Sequence, residues 1–238
     1  MKKIRILNLY PDEMNIYGDS GNVLTLTRRL QWHGYNPEVI FLHPGDSFPN
    51  EIDLVIGGGG QDSGQQKITK DLQRIAPHLQ QLADSGIPML VICGLFQLFG
   101  HRFVTENGTE IKGISIFDAE TIAKDKRLIG NIVIETDFGK VIGYENHSGQ
   151  TYLKNKQKPF GVIIKGEGNN TDDRTEGARI NNVFGSYLHG SLLPKNPVFA
   201  DYLIKTAVEK KFGKKVTLKK LDESITHRAR ESAQARPR

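Results

Sequence analysis

The sequence predicts an α/β fold with a doubly wound, mostly parallel sheet and an antiparallel addition. Short apolar runs of strand length alternate with segments whose apolar residues recur at helical spacing. Strands separated by helices are typical of a parallel sheet that is covered on both faces. From residue 111 to residue 152 the pattern changes to β-like runs interrupted by glycine, which predicts antiparallel strands. Ligands of such a fold bind at the carboxyl ends of the parallel strands.

Each predicted element has a helix-like or strand-like pattern of its own. In chain order they are a strand at residues 4–9, a helix at 22–33, strands at 38–42 and 53–56, a helix at 69–83, a strand at 87–92, β-like runs at 128–135 and 140–144, strands at 161–164 and 182–185, and a helix at 197–212. The first helix stops at Gly34 and the last begins with Pro197, both of which are common at those helix positions.

The composition predicts one cytosolic domain followed by a basic tail. The chain has 238 residues, and its single cysteine cannot form an internal disulfide. The apolar start is too short for a signal peptide, and no apolar run reaches transmembrane length. Residues 205–238 hold 11 Lys and Arg against 4 Asp and Glu, which accounts for the net charge of +5. We therefore expect a domain at 1–212 and a flexible tail at 213–238. We expect no nucleic-acid partner, because the basic tail has no aromatic residues between its charges on which bases could stack.

Cys93 is the first candidate for a catalytic residue. It lies where the strand at 87–92 ends and a helix beginning at Gly94 is predicted. A thiol at such a turn points into a crevice, and the positive end of the helix dipole favours its nucleophilic thiolate form. The alternative is a buried cysteine that acts as a small apolar residue. A base close to the thiol would favour the catalytic interpretation of Cys93 over this alternative.

His189 is the best candidate for that base, because it follows the strand at 182–185 at a turn. A cysteine nucleophile needs an imidazole that takes its proton and later hands it to the leaving group. Six other histidines compete, and a lone histidine is more often structural than catalytic. A metal site is poorly supported, since the histidines have no metal-binding spacing and no cysteine pair exists.

The four glycines at residues 57–60 form a second turn that suits catalysis. They follow the strand at 53–56, so their amides can approach a substrate oxygen and form half of an oxyanion hole. A phosphate-binding loop is excluded, because Gln65 and Gln66 stand where that motif requires Lys and Ser or Thr. A flexible turn without a function is the alternative.

Four sequence segments taken together identify a protein family more specifically than any one of them does. They are Gly-Gly-Gly-Gly-Gln-Asp at 57–62, Cys-Gly-Leu-Phe-Gln at 93–97, Gly-Tyr-Glu-Asn-His-Ser-Gly at 143–149 and Gly-Ser-Tyr-Leu-His-Gly at 185–190. In order and spacing the chain resembles the class I, triad-type glutamine amidotransferases, in the branch of the cobyric acid and cobyrinic acid amidating enzymes. Leu-Tyr-Pro-Asp at 9–12 and Asn-Ile-Tyr-Gly-Asp-Ser-Gly-Asn at 15–22 further resemble the GatD-type subunits of lipid II isoglutaminyl synthase. The resemblance covers the chain up to about residue 212 and implies a flavodoxin-like sheet.

The resemblance implies roles for the residues of these turns. Cys93 would attack the side-chain amide of glutamine and form a glutamyl thioester. The amides of Gly94 and of a glycine near Gly58 would stabilise the oxyanion. His189 would protonate the departing ammonia and then activate water.

The resemblance also implies substrate-binding residues. Arg127 matches the position of a glutamine-binding arginine, whose guanidinium can hold the substrate α-carboxylate, although an ordinary strand-edge arginine is the alternative. Gln97 would contact the substrate from the first helical turn or only pack there. For Glu145 and His147 we expect structural roles.

The chain departs from the wider class at the third member of the triad. Class I members carry an acid two residues after the histidine, whereas His189 is followed by Gly190 and Ser191. Since an acid normally orients the imidazole, we expect the partner subunit to supply the carboxylate across the interface. The alternatives are a carboxylate in the same chain, at Glu145, Glu176 or Asp201, or a Cys-His dyad without a third residue.

The resemblance finally implies a partner and a place in the cell. A Mur ligase-like subunit would use ATP and Mg²⁺ to amidate the D-glutamate of lipid II to D-isoglutamine, while this chain needs no cofactor or metal. We expect a cytoplasmic heterodimer, at the inner face of the membrane through lipid II, and not an integral membrane protein. The alternatives are an amidotransferase for another acceptor such as a cobyrinate-type acid, a stand-alone cysteine hydrolase on the same fold, and a catalytically silent binding module.

Overall fold

Strands and helices alternate in the first hundred residues of the computed structural model, which describes residues 2–237. The elements are β1 (Lys3–Leu9), α1 (Ser20–Trp32), β2 (Asn36–Leu42), β3 (Leu54–Gly57), α2 (Asp62–Asp84), β4 (Met89–Ile92) and α3 (Gly94–Phe99). Helix α2 begins at Asp62 rather than at residue 69. Its first two turns are mostly polar and lack apolar periodicity, although Gln65 and Ile68 are buried.

Short strands and a long hairpin make up most of the second half. The elements are β5 (Arg102–Val104), β6 (Glu110–Lys112), β7 (Ala119–Thr136), β8 (Gly139–Leu153), β9 (Gly161–Lys165), β10 (Thr175–Glu176), β11 (Ala178–Ile180), β12 (Val183–Ser186), α4 (Leu192–Lys195), α5 (Pro197–Phe212) and α6 (Ser224–Ala235). Helix α5 has the predicted bounds, and Gly213 ends it in the left-handed conformation (φ 64°), which glycine adopts without strain.

The parallel sheet has the strand order β11-β12-β4-β3-β1-β2. All neighbours are parallel except β11, which is antiparallel to β12. The four strands β12, β4, β3 and β1 are therefore adjacent, and their carboxyl ends meet at one edge of the sheet. The segments that follow them carry His189, Cys93, the four glycines and the loop 10–19, in that order across the sheet.

Strands β5 to β10 form a separate six-stranded sheet, antiparallel except for the parallel pair of β5 and β7, rather than an extension of the parallel sheet. Its order is β10-β9-β7-β5-β6, with β8 paired to β7. The edge strands of the parallel sheet are β2 and β11, and within residues 2–237 neither pairs with a strand of the second sheet. The two sheets meet beside the candidate base, where the backbone N–H of His189 donates to the carbonyl of Tyr144 in β8 (2.7 Å).

An aromatic cluster joins the β7–β8 hairpin to the parallel sheet and α5. Phe184 of β12 is fully buried, and its ring centroid lies 5.8 Å from Phe138, 5.5 Å from Phe160 and 5.0 Å from Phe199. All three contacts are edge-to-face, a favourable arrangement for aromatic rings. The cluster thus fixes the second sheet against the strand that leads to His189.

Replacing Phe184 by Ala is expected to lower the free energy of unfolding by about 3 to 5 kcal/mol, because the ring contacts are lost and a cavity remains. Urea denaturation measures this change. Val198→Ala is the control: this side chain is 62% exposed at the start of α5, so its loss should change stability by no more than about 0.5 kcal/mol. If the two substitutions lowered the free energy of unfolding equally, the aromatic cluster would not be what holds the two sheets together.

The C-terminal segment contains helix α6, where the sequence predicted no regular structure. No residue of α6 is buried. Arg230 nevertheless donates hydrogen bonds to the carbonyls of Lys195 and Lys140 and to the side chain of Asn196 (2.6 Å for the last). The helix therefore lies against α4 and β8, and the flexibility of the tail stays a prediction. Within residues 2–237 no helix combines the length and apolar character needed to cross a bilayer.

Candidate active site

A pocket of about 360 Å³ opens beside Cys93 at the carboxyl edge of the parallel sheet. Its walls come from the loop after β1, the turn after β3, the starts of α2 and α3, and the β7–β8 hairpin. The volume is in the range of small-molecule sites. Of the predicted residues, Cys93, Gln97 and Arg127 line it together.

Cys93 stands at the end of β4 in a strained backbone conformation. Its φ is 50° and its ψ is −106°, which a residue with a side chain rarely adopts. Such strain costs about 1 to 3 kcal/mol and is concentrated at functional sites. The turn persists because both backbone polar groups are bonded: the N–H donates to Ser186 (2.8 Å), and the carbonyl accepts from Gln97 (2.9 Å). The side chain is thereby held at the first turn of α3, beside the pocket.

His189 lies close to Cys93, as the sequence predicts. A Cβ placed on Gly59 would lie 3.0 Å from both the Cys93 Cβ and the His189 Cε1, so the two side chains meet at this glycine. The imidazole is only 1% exposed and packs against the ring of Tyr17, with the ring centroids 4.4 Å apart. The structure therefore brings the candidate nucleophile and base together.

The environment of His189 stabilises its charged form. Burial lowers the pKa of the imidazole, but its interactions with Cys93 and Asp19 outweigh the effect of burial and raise this pKa to about 10. The imidazolium is then the main form at neutral pH. An imidazolium beside Cys93 can donate a proton to a leaving group.

Side chains would not fit at Gly58, Gly59 or Gly60, because neighbouring atoms lie too close to the positions of their Cβ atoms. Only part of this glycine turn faces Cys93. A Cβ on Gly58 would lie 2.3 Å from the Met14 carbonyl, so this residue packs against the loop after β1. The N–H of Gly59 donates to Asp19 (2.7 Å). Gly60 lines the pocket, and a Cβ on Gly94 would lie 2.9 Å from its nitrogen. Gly60 is therefore the glycine of this turn that lies beside Gly94 at the pocket, and the oxyanion role of Gly58 stays a prediction.

Arg127 reaches the pocket from an irregular stretch of β7. The pairing of β7 with β8 shifts register between Ala123 and Leu128, and such bulges redirect side chains. The Arg127 guanidinium donates through Nε to Asn146 (2.7 Å) and through Nη2 to the hydroxyl of Tyr17 (3.3 Å). These two contacts hold an exposed cation at the pocket mouth, where it can bind a carboxylate.

Gln97 is fixed on the inner wall of the pocket. Its Oε1 accepts from the Gln65 side chain (2.9 Å), and its Nε2 donates to the Tyr187 hydroxyl (3.1 Å). The Tyr187 hydroxyl also bonds Thr151 (2.7 Å). Because Gln97 belongs to a buried hydrogen-bonded network and lines the pocket, both predicted roles, packing and substrate contact, fit its position.

Residues 5–197 of this chain match the CobB/CobQ-like glutamine amidotransferase domain. The chain belongs to this family. It is 38% identical over 213 residues to the lipid II isoglutaminyl synthase (glutamine-hydrolyzing) subunit GatD of Staphylococcus aureus (strain N315), covering 89% of this chain and 87% of the relative. The GatD subunit of Streptococcus pneumoniae (strain ATCC BAA-255 / R6) is 37% identical over 220 residues, covering 91% and 85%. The predicted family is confirmed.

A solved structure supports the α/β fold of this family member. The structure of PurLQS from Thermotoga maritima superposes with a TM-score of 0.60, and the match covers 90% of this chain and 100% of that chain. Its sequence identity of 16% means that the likeness shows the fold alone. The predicted α/β amidotransferase architecture is confirmed.

The predicted alternatives for the third acid of the amidotransferase site lie elsewhere or are already bonded. Asp201 forms ion pairs with Arg29 (2.7 Å) and His33 (3.0 Å). Glu145 is buried and accepts the backbone N–H groups of Glu167 and Gly168 (2.9 and 2.8 Å). Both carboxylates therefore stabilise local structure.

Glu176 is buried closer to the site, but residues at the end of β12 already bond its carboxyl group. Its carboxyl group accepts the N–H of Tyr187 (2.7 Å) and the hydroxyl of Ser186 (3.2 Å). Burial raises the pKa of Glu176 to about 8, so much of the group is uncharged at neutral pH. His147 stacks on Tyr187 with the ring centroids 3.6 Å apart, and burial lowers its pKa to about 3, while its structural role stays a prediction.

Asp19 and Tyr17 are site residues that the sequence analysis did not assign. Both lie on the loop after β1, and Asp19 Oδ2 is 3.9 Å from His189 Nδ1. The motif at 15–22 was recognised, and β1 was predicted as a parallel strand. Their place after a parallel strand could have identified them, because the loop after β1 leaves the sheet at the same edge as the turns that carry Cys93 and His189. No cluster of three or more His, Cys, Asp or Glu residues suited to a metal ion occurs in the described part of the amidotransferase.

Proposed function

We propose that this amidotransferase is the glutamine-hydrolysing subunit of lipid II isoglutaminyl synthase. It releases ammonia from L-glutamine, and a partner subunit uses the ammonia to amidate lipid II. The observation that carries the proposal is the meeting of Cys93 and His189 at Gly59, beside a pocket with Arg127 at its mouth. The family and the similarity to two GatD subunits over most of their lengths support the same function.

The first half of the proposed reaction forms a thioester. The Sγ of Cys93 attacks the side-chain amide carbon of glutamine, and the amide oxygen takes up the negative charge. The N–H groups of Gly94 and Gly60 stabilise this oxyanion. When the C–N bond breaks, the nitrogen takes a proton from the His189 imidazolium and leaves as ammonia, so a glutamyl thioester remains.

The second half of the reaction restores the cysteine. His189, now neutral, takes a proton from water as the water oxygen adds to the thioester carbon. The C–S bond then breaks, the thiolate and the imidazolium are restored, and the glutamic acid product loses its new proton to solvent. The buried position of His189 suits both steps, because the imidazole can exchange protons only with groups in the site.

Substrate binding is proposed to use the pocket walls. The Arg127 guanidinium holds the α-carboxylate of glutamine through two charge-assisted hydrogen bonds. Its existing contacts to Asn146 and Tyr17 fix its position before the substrate arrives. Gln97 contacts the substrate deeper in the pocket, where it is held by Gln65 and Tyr187.

The acceptor reaction is proposed to belong to the partner. Ammonia does not amidate a carboxylate without activation, so a Mur ligase-like subunit supplies ATP, Mg²⁺ and the site for the D-glutamate of lipid II. The complex works in the cytoplasm, at the inner face of the membrane through its lipid-linked substrate. No nucleotide loop was found in this chain, which supports the division of labour.

The test is to map the labelling of the chain, together with the partner subunit, by the diazoketone analogue of glutamine. Peptide mass spectrometry is expected to find the label on Cys93, and excess glutamine should suppress it, because both compounds occupy one pocket. Iodoacetamide, a general thiol reagent, shows whether the thiol is reachable. If iodoacetamide labels Cys93 while the analogue does not, the glutaminase proposal fails and a hydrolase or a silent binding module replaces it.

A further inference from the structure

We propose that Asp62 is a specificity-determining residue of the pocket: its carboxylate binds the α-ammonium group of glutamine, while Arg127 binds the α-carboxylate. The inference rests on the proposed glutaminase function and deepens it, because it says how the pocket recognises a free amino acid. A substrate whose α-amino group is missing, or is part of a peptide bond, would then bind poorly.

The first support is the match between the charges of the pocket and those of the substrate. Among the described residues that line the pocket, Asp62 is the carboxylate and Arg127 is the guanidinium. His147 also lines it but is uncharged at neutral pH, because burial lowers its pKa to about 3. Free glutamine carries an ammonium and a carboxylate group on the same carbon atom at neutral pH. Since both side chains line one pocket of about 360 Å³, they can hold these two groups together.

The second support is that the Asp62 carboxylate is free to bind a cation. Asp62 is the first residue of α2, directly after the glycine turn, and its side chain is exposed. Within residues 2–237 this carboxylate has no hydrogen bond or ion pair. An acid in the first turn also stabilises a helix through the helix dipole, but that role does not need a place in the pocket wall.

The third support is a buried acceptor on the same side of α2. Gln65 lines the pocket and is 1% exposed, and its Nε2 donates to the Gly94 carbonyl (3.1 Å) and to Gln97 Oε1 (2.9 Å). These two acceptors fix which end of the amide is the nitrogen. Within residues 2–237 no group donates to its Oε1. Because residues three apart share a helix face, this oxygen can add a hydrogen bond to an ammonium group held by Asp62.

The acceptors near Arg127 are engaged by the guanidinium. The Asn146 Oδ1 accepts its Nε–H (2.7 Å), and the Tyr17 hydroxyl accepts a hydrogen bond from Nη2 (3.3 Å). The Cys93 thiolate reacts with the side-chain amide, at the end of the substrate that is far from the ammonium group. Asp62 is therefore the charged side chain of the pocket that is available to the ammonium.

Recognition of the ammonium gives the pocket a way to reject other amides. A site that hydrogen-bonds a polar group of its substrate discriminates against an analogue without that group, because its own polar groups then stay unpaired. The side-chain amides of peptides have no free α-ammonium group. Asp62 would thus restrict hydrolysis to free glutamine and protect the amide groups of peptides.

The test compares the rates at which two probes label Cys93 in the complex with the partner subunit. One probe is the diazoketone analogue of L-glutamine, and the other is the same compound without its α-amino group. Both keep the carboxylate and the diazoketone. Because labelling needs no turnover, peptide mass spectrometry after long incubation also measures slow reactions.

The proteins compared are the wild type, Asp62→Asn and Asp12→Asn. Asp12→Asn is the matched control, since it removes a carboxylate of the neighbouring loop that contacts His43 (3.2 Å) and does not line the pocket. Thermal unfolding checks that each variant folds. Asp62→Ser, which also lacks the charge, replaces Asp62→Asn if the latter does not fold.

The wild type is expected to react with the amino probe roughly 10-fold faster than with the deamino probe. Asp62→Asn should slow the amino probe roughly 10-fold and leave the deamino rate within about twofold, because only the amino probe loses a charge-assisted hydrogen bond. Asp12→Asn should change neither rate by more than about twofold. Glutaminase kinetics of Asp62→Asn should show a higher KM with kcat close to that of the wild type.

The remaining outcomes separate the inference from the function on which it rests. Equal slowing of both probes by Asp62→Asn, or no slowing of either, would show that Asp62 does not bind the ammonium group. A wild type that reacts equally fast with both probes would overturn the inference as well. If iodoacetamide labels wild-type Cys93 and neither probe does, the proposed function itself fails.

Discussion

Cys93→Ala is expected to abolish glutamine-dependent amidation and to leave ammonia-dependent amidation unchanged. The substitution removes the only atom that can form the thioester, so glutaminase turnover should fall by roughly 10⁴-fold or more. The fold should persist, since alanine is smaller than cysteine and the Cys93 backbone is held by Ser186 and Gln97. The measurement is product formation by the complex with glutamine or with an ammonium salt as the nitrogen source.

The two nitrogen sources act as controls for each other. Ammonium-dependent synthesis reports whether the variant still assembles with an active partner. Cys93→Ser should behave as Cys93→Ala does, because a hydroxyl in this site is a much weaker nucleophile than a thiolate. Loss of both reactions would contradict the division of labour between the subunits, and retention of glutamine use would remove Cys93 from the mechanism.

Arg127→Ala is expected to raise the KM for glutamine roughly 100-fold with a smaller change in kcat. Two charge-assisted hydrogen bonds to the α-carboxylate would be lost, and a 100-fold change corresponds to about 2.8 kcal/mol. Arg127→Lys should recover only part of the loss, because an ammonium group cannot bind a carboxylate through two parallel bonds. Glutaminase kinetics over a range of glutamine concentrations separate the two parameters.

Lys126→Ala is the matched control for this prediction. Lys126 is the exposed neighbour of Arg127 on β7 and pairs with Glu167 (3.4 Å), and it does not line the pocket. Its loss removes the same charge at nearly the same place and should leave KM unchanged. If Arg127→Ala lowers kcat alone, or if Lys126→Ala raises KM equally, Arg127 does not hold the α-carboxylate.

Most of the fold could be predicted because its elements carry strong local patterns. The apolar strands that became β1, β3 and β4 and the helix α5 are recognised by period and by their ends. The start of α2 was missed because its first turns face the pocket and are polar. The separate second sheet was missed because the pattern of a strand does not show which other strand it pairs with.

The candidate site was predicted where chemistry is visible in residue types. Cys93, His189 and Arg127 combine reactive groups with recognisable motifs, and the structure places the first two together and the third at the pocket mouth. Gly58 was predicted to bind the oxyanion only from its place in a run of four glycines, and four identical residues cannot be told apart by residue type. Only their contacts distinguish Gly60, which lines the pocket, from Gly58, which packs on Met14.

The sequence by itself determined the family and most elements of the parallel sheet, and it singled out the candidate nucleophile and base, because these depend on residue identity and short-range periodicity. Only the tertiary structure decided which groups surround the imidazole. Asp19 and His189 are far apart in the chain and lie 3.9 Å apart in space because β1 and β12 end at the same edge of one sheet. Electrostatic interactions act over distances of a few ångströms, and sequence separation does not reveal them.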